Sequence, residues 1–211
     1  MKDTVREIAE EKRGALVTFE GGETLWFSRD AWREHAPISI GAEEDVDGLK
    51  AWLLPRQYPE ALNYAVSLLA VRARASGEIR QKLRQRRYMD DTIEMVEYKL
   101  EKEKLLDDEA FAREWAASCA RRQMGKSRIL QELRRKGISR ELCEQALEEL
   151  DGEESGAAAV ALAAKLLRRY AKEPDQRKAM GKLLSAMSRR GYGYEESRRA
   201  VETALDEMEE A

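Results

Sequence analysis

The sequence predicts a mainly α protein, built as three tandem three-helix repeats in an elongated array and preceded by a small N-terminal module that contains a β-hairpin. Three observations lead there. From Ala61 onward, basic and acidic residues fall into alternating blocks, and the blocks recur three times. The same apolar positions recur at a spacing of about fifty residues, the mark of stacked repeats. Before that region the composition is different: residues 1–57 carry three of the four tryptophans (Trp26, Trp32 and Trp52), the single histidine His35, and two β-rich runs.

Those runs are Ala15–Glu20 and Glu23–Ser28, and they flank Gly21-Gly22. Two strands joined by Gly-Gly predict a two-residue hairpin, because the favoured type I′ turn needs positive φ at both central residues. A lone hairpin is marginal in water, so Thr4–Glu10 is expected to supply a third strand. Ser28 has the chemistry of an N-cap for a short helix through His35. Residues 37–48, with Pro37, Gly41 and Gly48, read as loop.

After Pro59 the periodicity is helical. Apolar residues at 61, 62, 65, 68 and 69 share one face, Ser76-Gly77-Glu78 restarts a helix carrying Ile79 and Leu83, and a third helix runs from about Asp90. An offset of fifty maps Ile79 onto Ile129, Leu83 onto Leu133, Arg84 onto Arg134, Arg86 onto Lys136 and Leu100 onto Leu150. A further 54 maps Ile129 onto Leu183, Leu133 onto Met187, Lys136 onto Arg190, Gly137 onto Gly191 and Ile138 onto Tyr192. The expected organisation is therefore a module over 1–57 and repeats over 58–104, 105–152 and 153–211. Gly137 and Gly191 sit where a basic second helix should end, a place suited to the left-handed conformation. Arg87 holds that place in the first repeat, where the turn should be less tidy. Ser139 is placed to cap the following helix, and Pro174 to open the second helix of the third repeat.

Composition narrows the function. Charged residues make up 37% of the chain against an average of about 25%. No apolar run approaches the roughly 18 residues of a membrane span, and the polar start Met1-Lys2-Asp3-Thr4 argues against a secretory signal. Cys119 and Cys143 lie on apolar helix faces without a CxxC partner, as reduced core residues do; a cytoplasmic address follows. One histidine, with no glycine-rich phosphate loop and no catalytic triad, leaves little for enzymatic chemistry or cofactors. Asp107-Asp108-Glu109 suits a helix first turn better than a metal site, since consecutive acids on a helix diverge.

The net charge of −3 conceals three basic blocks: +6 over 72–87, +7 over 113–140 and +7 over 165–190. Separate solvated helix faces would account for any one of them. Their recurrence favours a discontinuous basic stripe through Arg84 and Arg86, Arg134 and Lys136, and Arg190, suited to a phosphate backbone or an acidic protein groove. A helix-turn-helix transcription regulator would instead concentrate contacts in one recognition helix and usually dimerise.

Several segments resemble the RecX family, bacterial regulators of the RecA recombinase. They are Ala61-Leu62-Asn63-Tyr64-Ala65, the run from Ser76 to Leu83, Leu105 to Ala112, Gly125 to Ile138, and Arg189 to Glu195. The likeness covers about 60–208 and is most specific over 105–138; the N-terminal hairpin resembles the extension of some longer members. The resemblance implies a monomeric, non-enzymatic chain that needs no cofactor. It would bind RecA–single-stranded-DNA filaments, modulating strand exchange and the SOS response, usually as an inhibitor. By position it implies Arg128, Arg134, Arg135 and Lys136 as the middle contact, flanked by Arg84, Arg86 and Arg87 on one side and by Arg189 and Arg190 on the other. Arg87 departs from the glycine often found there in the family.

Overall fold

Alternation of apolar and polar residues builds the N-terminal sheet. The computed structural model describes residues 1–35, 37–150 and 152–209, with the backbone alone for 153–155. Strands β1 (Lys2–Glu11), β2 (Gly14–Phe19), β3 (Thr24–Ser28) and β4 (Glu43–Asp45) pair antiparallel in the order β3-β2-β1-β4. Ala15, Val17 and Phe19 on β2 and Leu25 and Phe27 on β3 point to one face and are buried, as a period of two requires. The expected third strand is β1. Strand β4 lies within the stretch read as loop; its sequence Glu-Glu-Asp carries no apolar alternation, and pairing with Lys2–Thr4 creates it.

The hairpin differs from the two-residue turn expected. Thr18 pairs with Thr24, the Phe19 N–H donates to the Glu23 carbonyl (2.9 Å), and Glu20, Gly21 and Gly22 form a three-residue loop. Of the two glycines only Gly22 takes a positive φ (91°), the glycine bulge that such loops use. Gly21 serves a different end: its N–H donates to Asp3 Oδ2 (3.0 Å) on β1, and a Cβ there would stand 2.6 Å from that oxygen.

Helix α1 (Arg29–Glu34) is capped by Ser28 as expected, its Oγ accepting from the Ala31 N–H. Helix α2 (Val46–Leu69) then runs for 24 residues, through the expected 57/58 boundary and through Pro55 and Pro59. Its buried positions Leu49, Leu53, Gln57, Ala61 and Ala65 recur every fourth residue. Leu49 and Leu53 join Val5, Val17, Phe19, Leu25 and Phe27 in the sheet core. Ala61 and Ala65 join Ile79, Leu83, Ile93, Val96 and Leu100 in the core of the first repeat. Gln57 sits between. Its Nε2 donates to the Trp26 carbonyl (2.9 Å), and its Oε1 accepts from the Met89 N–H and the Thr92 hydroxyl, both at 3.1 Å.

Three helix triplets make up the rest. The first joins α2 to α3 (Ser76–Gln85) and α4 (Asp90–Lys102). The second is α5 (Asp108–Arg121), α6 (Lys126–Arg135) and α7 (Arg140–Glu148); the third is α8 (Gly152–Tyr170), α9 (Gln176–Arg189) and α10 (Tyr194–Glu209). The chain forms two compact units, Met1–Leu106 and Asp107–Ala211, so the last two triplets share a unit. Residues 210 and 211 of the expected third repeat lie outside the described residues. The matched positions Ile79, Ile129 and Leu183, and likewise Leu83, Leu133 and Met187, are buried alike.

Each second helix closes the same way. Arg87 (φ 66°), Gly137 (φ 85°) and Gly191 (φ 92°) are left-handed. The next residue's N–H then reaches back to a carbonyl five positions earlier: Tyr88 to Leu83, Ile138 to Leu133 and Tyr192 to Met187. Tyr192 is buried core, like Ile138, and burial pushes its phenol up to about 12. The first repeat thus forms the same turn without a glycine. Pro174 does not open α9; it precedes the cap Asp175, whose carboxylate accepts from the Arg177 and Lys178 N–H groups. Ser139 caps α7 as expected. Cys119 and Cys143 are buried and unpaired with each other, and burial raises both thiols. No helix among the described residues is long and apolar enough to cross a membrane.

Gln57→Leu keeps the volume but orphans the Trp26 carbonyl, the Met89 N–H and the Thr92 hydroxyl together. Urea unfolding should show a loss of about 3 kcal/mol.

Candidate functional site

Except for Arg128, which lies in the first turn of α6, the basic residues singled out by sequence fall at the C-terminal ends of helices. Cations gather there because the last carbonyls of a helix point outward and carry partial negative charge. How much of that charge reaches solvent differs between the repeats.

In the first unit the arginines are tied to neighbours. Arg84 pairs with Asp90 (3.0 Å) across the α3–α4 turn, and Arg87 pairs with Glu11 on β1 (2.6 Å). The Arg86 guanidinium is half-buried, flat over the Tyr64 ring at 3.5 Å. All three cations are thus engaged within the unit.

In the second unit the geometry turns on two glycines. The N-terminus of α6 seats directly on the C-terminal turn of α9. The Gly125 N–H donates to the Arg190 carbonyl (2.8 Å) and the Ser127 N–H to the Gly191 carbonyl (3.2 Å). Two otherwise orphaned N–H groups at one helix start satisfy two orphaned carbonyls at another helix end, and the two dipoles meet head to tail. The backbones come so close that a Cβ on Gly125 would lie 2.4 Å from the Gly191 carbonyl group, and one on Gly191 would lie 2.4 Å from Arg128 N.

This seat brings Arg128 beside Arg189 and Arg190, which sequence places about sixty residues away. It also recruits Arg122, whose carbonyl accepts from Arg190 Nη1 (3.4 Å), and the exposed Lys126 that starts α6. Sequence reasoning passed over both. They lie in the +7 block, but only the seat places them at the junction. Arg134 and Arg135 stand at the far end of α6, roughly 10 Å along its axis.

Glu132 decides which charges are spent. It forms an ion pair with Arg128 (3.0 Å) and accepts from Arg135 (2.6 Å), so those two share one carboxylate. Arg134, Arg189 and Arg190 are exposed, and among the described residues none has a carboxylate within ion-pair distance; Arg189 bonds the Ser185 hydroxyl instead. Lys136 is only 8% exposed, with its ammonium 3.8 Å from the Trp115 ring and 5.4 Å from Phe111. Its stem and charge belong to a cation–π contact within the second repeat.

The acid cluster at 107–109 opens α5: Asp107 Oδ1 accepts from the Ala110 N–H (2.8 Å). His35 packs edge-on to Trp52 (4.7 Å) and Phe27 (5.8 Å). Among the described residues no group of three or more His, Cys, Asp or Glu is gathered to hold a metal. The chemistry on offer is charge-assisted hydrogen bonding by solvent-facing guanidinium groups to phosphate or carboxylate.

Two glycine substitutions separate conformation from contact. Gly137→Ala should cost about 1 kcal/mol in chemical denaturation, the strain of an L side chain at positive φ. Gly191→Ala adds a clash with the α6 backbone and should cost about 3 kcal/mol in the same assay.

Comparison with known proteins places this architecture. Residues 61–96 match the RecX first three-helix domain, 107–147 the second and 153–201 the third. The regulatory protein RecX of Amycolatopsis mediterranei is 35% identical over 137 residues, 64% of this chain and 78% of that protein. That of Prosthecochloris aestuarii is 34% identical over 147 residues, 69% of this chain and 94% of its own length. A crystal structure of regulatory protein RecX shares the fold with a TM-score of 0.64 at 23% identity, covering 97% of this chain and 99% of that one. RecX from Lactobacillus salivarius gives a TM-score of 0.66 at 24% identity over 72% of this chain and 98% of its own. Three consecutive domain matches in family order, over a fold shared with two RecX structures, make this chain a member of the RecX family.

Proposed function

We propose that this chain is a non-enzymatic, monomeric regulator that works in the cytoplasm. It binds RecA–single-stranded-DNA filaments and restrains recombinase activity, and through it DNA repair and the SOS response. The observation that carries the reading is the continuous basic path in the second unit. It runs from the end of α9 through the Gly125–Gly191 seat to the end of α6, with Arg134, Arg189 and Arg190 exposed and, among the described residues, without a carboxylate partner. The regulatory naming of the relatives supports the same reading.

The relevant partner surface is acidic protein or phosphate, because guanidinium forks recognise both with directional pairs of hydrogen bonds. A flat, uninterrupted polyanion fits less well. The acidic third helices, including Glu141, Glu144, Glu148 and Glu149 on and beside α7, would repel it. A filament groove that offers both protein and phosphate suits the alternation better.

The double variant Arg134→Glu with Arg190→Glu removes charge at both ends of the path and touches neither core. Filament retention should fall at least about tenfold while helical circular dichroism stays unchanged. Unaltered retention by the folded variant would overturn the proposed surface. A steep linear fall of log affinity with log salt would assign the energy to phosphates, and a shallow one to protein contacts.

A further inference from the structure

A second surface lies in the first unit, where the sheet meets the first repeat. A groove of about 250 Å³ opens there between Arg13, in the β1–β2 turn, Trp26 on β3, and the closed end of α3 with Arg86, Arg87 and Tyr88. The Trp26 ring is half-exposed, and the Arg87 guanidinium stands 5.6 Å from its centre. The Arg86 guanidinium is spread over the Tyr64 ring, and Tyr88 lines the groove beside it.

Arg87 gives the groove its meaning. At the equivalent turn the other two repeats have glycine, which takes positive φ without strain; here an arginine takes φ 66°. What the arginine adds is its guanidinium, delivered beside the Trp26 indole. The ion pair it makes with Glu11 is solvent-exposed on both sides, and such pairs are weak enough for a phosphate oxygen to replace the carboxylate. Three arginines against Glu11 and Glu60 leave the groove cationic.

We infer that this groove binds a nucleotide of a single-stranded nucleic acid. The base lies against the Trp26 indole, and the flanking phosphates are held by Arg13, Arg86 and Arg87. A half-exposed indole beside oriented guanidinium planes is the combination that grips unpaired bases and their backbone. Bases within a duplex are already stacked and cannot present a face to Trp26. The site needs no recombinase, so it holds or fails independently of the filament reading.

The experiment is titration of the full chain at low salt with a 12-residue oligo(dT), read by anisotropy of a 5′ label and, without label, by tryptophan fluorescence. Oligo(dT) should quench the intrinsic fluorescence, and Trp26→Phe should remove most of that quenching while Trp32, Trp52 and Trp115 still emit. Arg13→Ala and Arg87→Gly should each weaken binding about fivefold to tenfold, and Arg87→Gly should leave the thermal midpoint unchanged or higher, because glycine suits that turn. A duplex of the same length should cause no Trp26-dependent quenching. The inference is overturned if oligo(dT) does not bind, if quenching survives in Trp26→Phe, or if both arginine variants stay within about twofold of the parent. Loss of binding only in the Arg134→Glu, Arg190→Glu variant would likewise overturn it, by placing the single strand on the second unit.

Discussion

One backbone constraint organises every repeat: the second helix must end in a residue at positive φ. That residue reverses the chain so that the next N–H can close on a carbonyl five positions back, and it drops the following side chain (Tyr88, Ile138 or Tyr192) against its own repeat. The turn also leaves the helix's outward carbonyls at the surface, and the electrostatics of those carbonyls favour arginines in the last turn. Core packing and surface charge therefore share one origin. In the third repeat the same turn acquires another role. Its carbonyls become acceptors for the start of α6, and the glycine required for φ also provides the space in which two backbones touch.

The first unit solves a different problem, joining a sheet to a helical repeat. A single helix, α2, contributes to both cores along one stripe of every fourth residue, and a polar residue stands where the cores part. A buried glutamine is tolerated because each of its groups is used: its amide satisfies a strand carbonyl, and its oxygen satisfies the start of α4. The Arg87–Glu11 pair lies on the surface of the same junction and contributes far less to it.

Much of this was legible in the sequence because it depends on near neighbours. The apolar spacing of Ile79 and Leu83, repeated at Ile129 and Leu133 and again at Leu183 and Met187, fixed the helical faces. The caps Ser28 and Ser139 and the closing glycines Gly137 and Gly191 marked helix ends by local chemistry. What escaped depends on distant partners. Strand β4 has no pattern of its own and exists by pairing with β1. Gly21 avoids the expected turn conformation because a carboxylate on another strand claims its N–H. Lys136 reads as a surface cation in a row of basic residues, yet the ring of Trp115 twenty-one positions earlier draws it inward. The basic stripe was expected from equivalent positions in successive repeats. In the second unit the basic residues at the end of α9 and the start of α6 are brought together by a backbone contact between the two helices, an arrangement that only the Gly125–Gly191 seat reveals.

The proposed function rests on where charge remains unneutralised among the described residues. The first unit engages its second-helix arginines internally, whereas the second unit leaves Arg134, Arg189 and Arg190 facing solvent along a path fixed by backbone hydrogen bonds. On the proposed reading, a surface held by these backbone hydrogen bonds suits a partner that is itself an extended assembly. The most direct measurement is co-sedimentation of the intact protein with pre-assembled RecA filaments, beside naked single-stranded DNA, at the same near-physiological salt. Strong retention on the filament and weak retention on bare DNA is the predicted result. Equal retention on both, or none on either, would contradict the account.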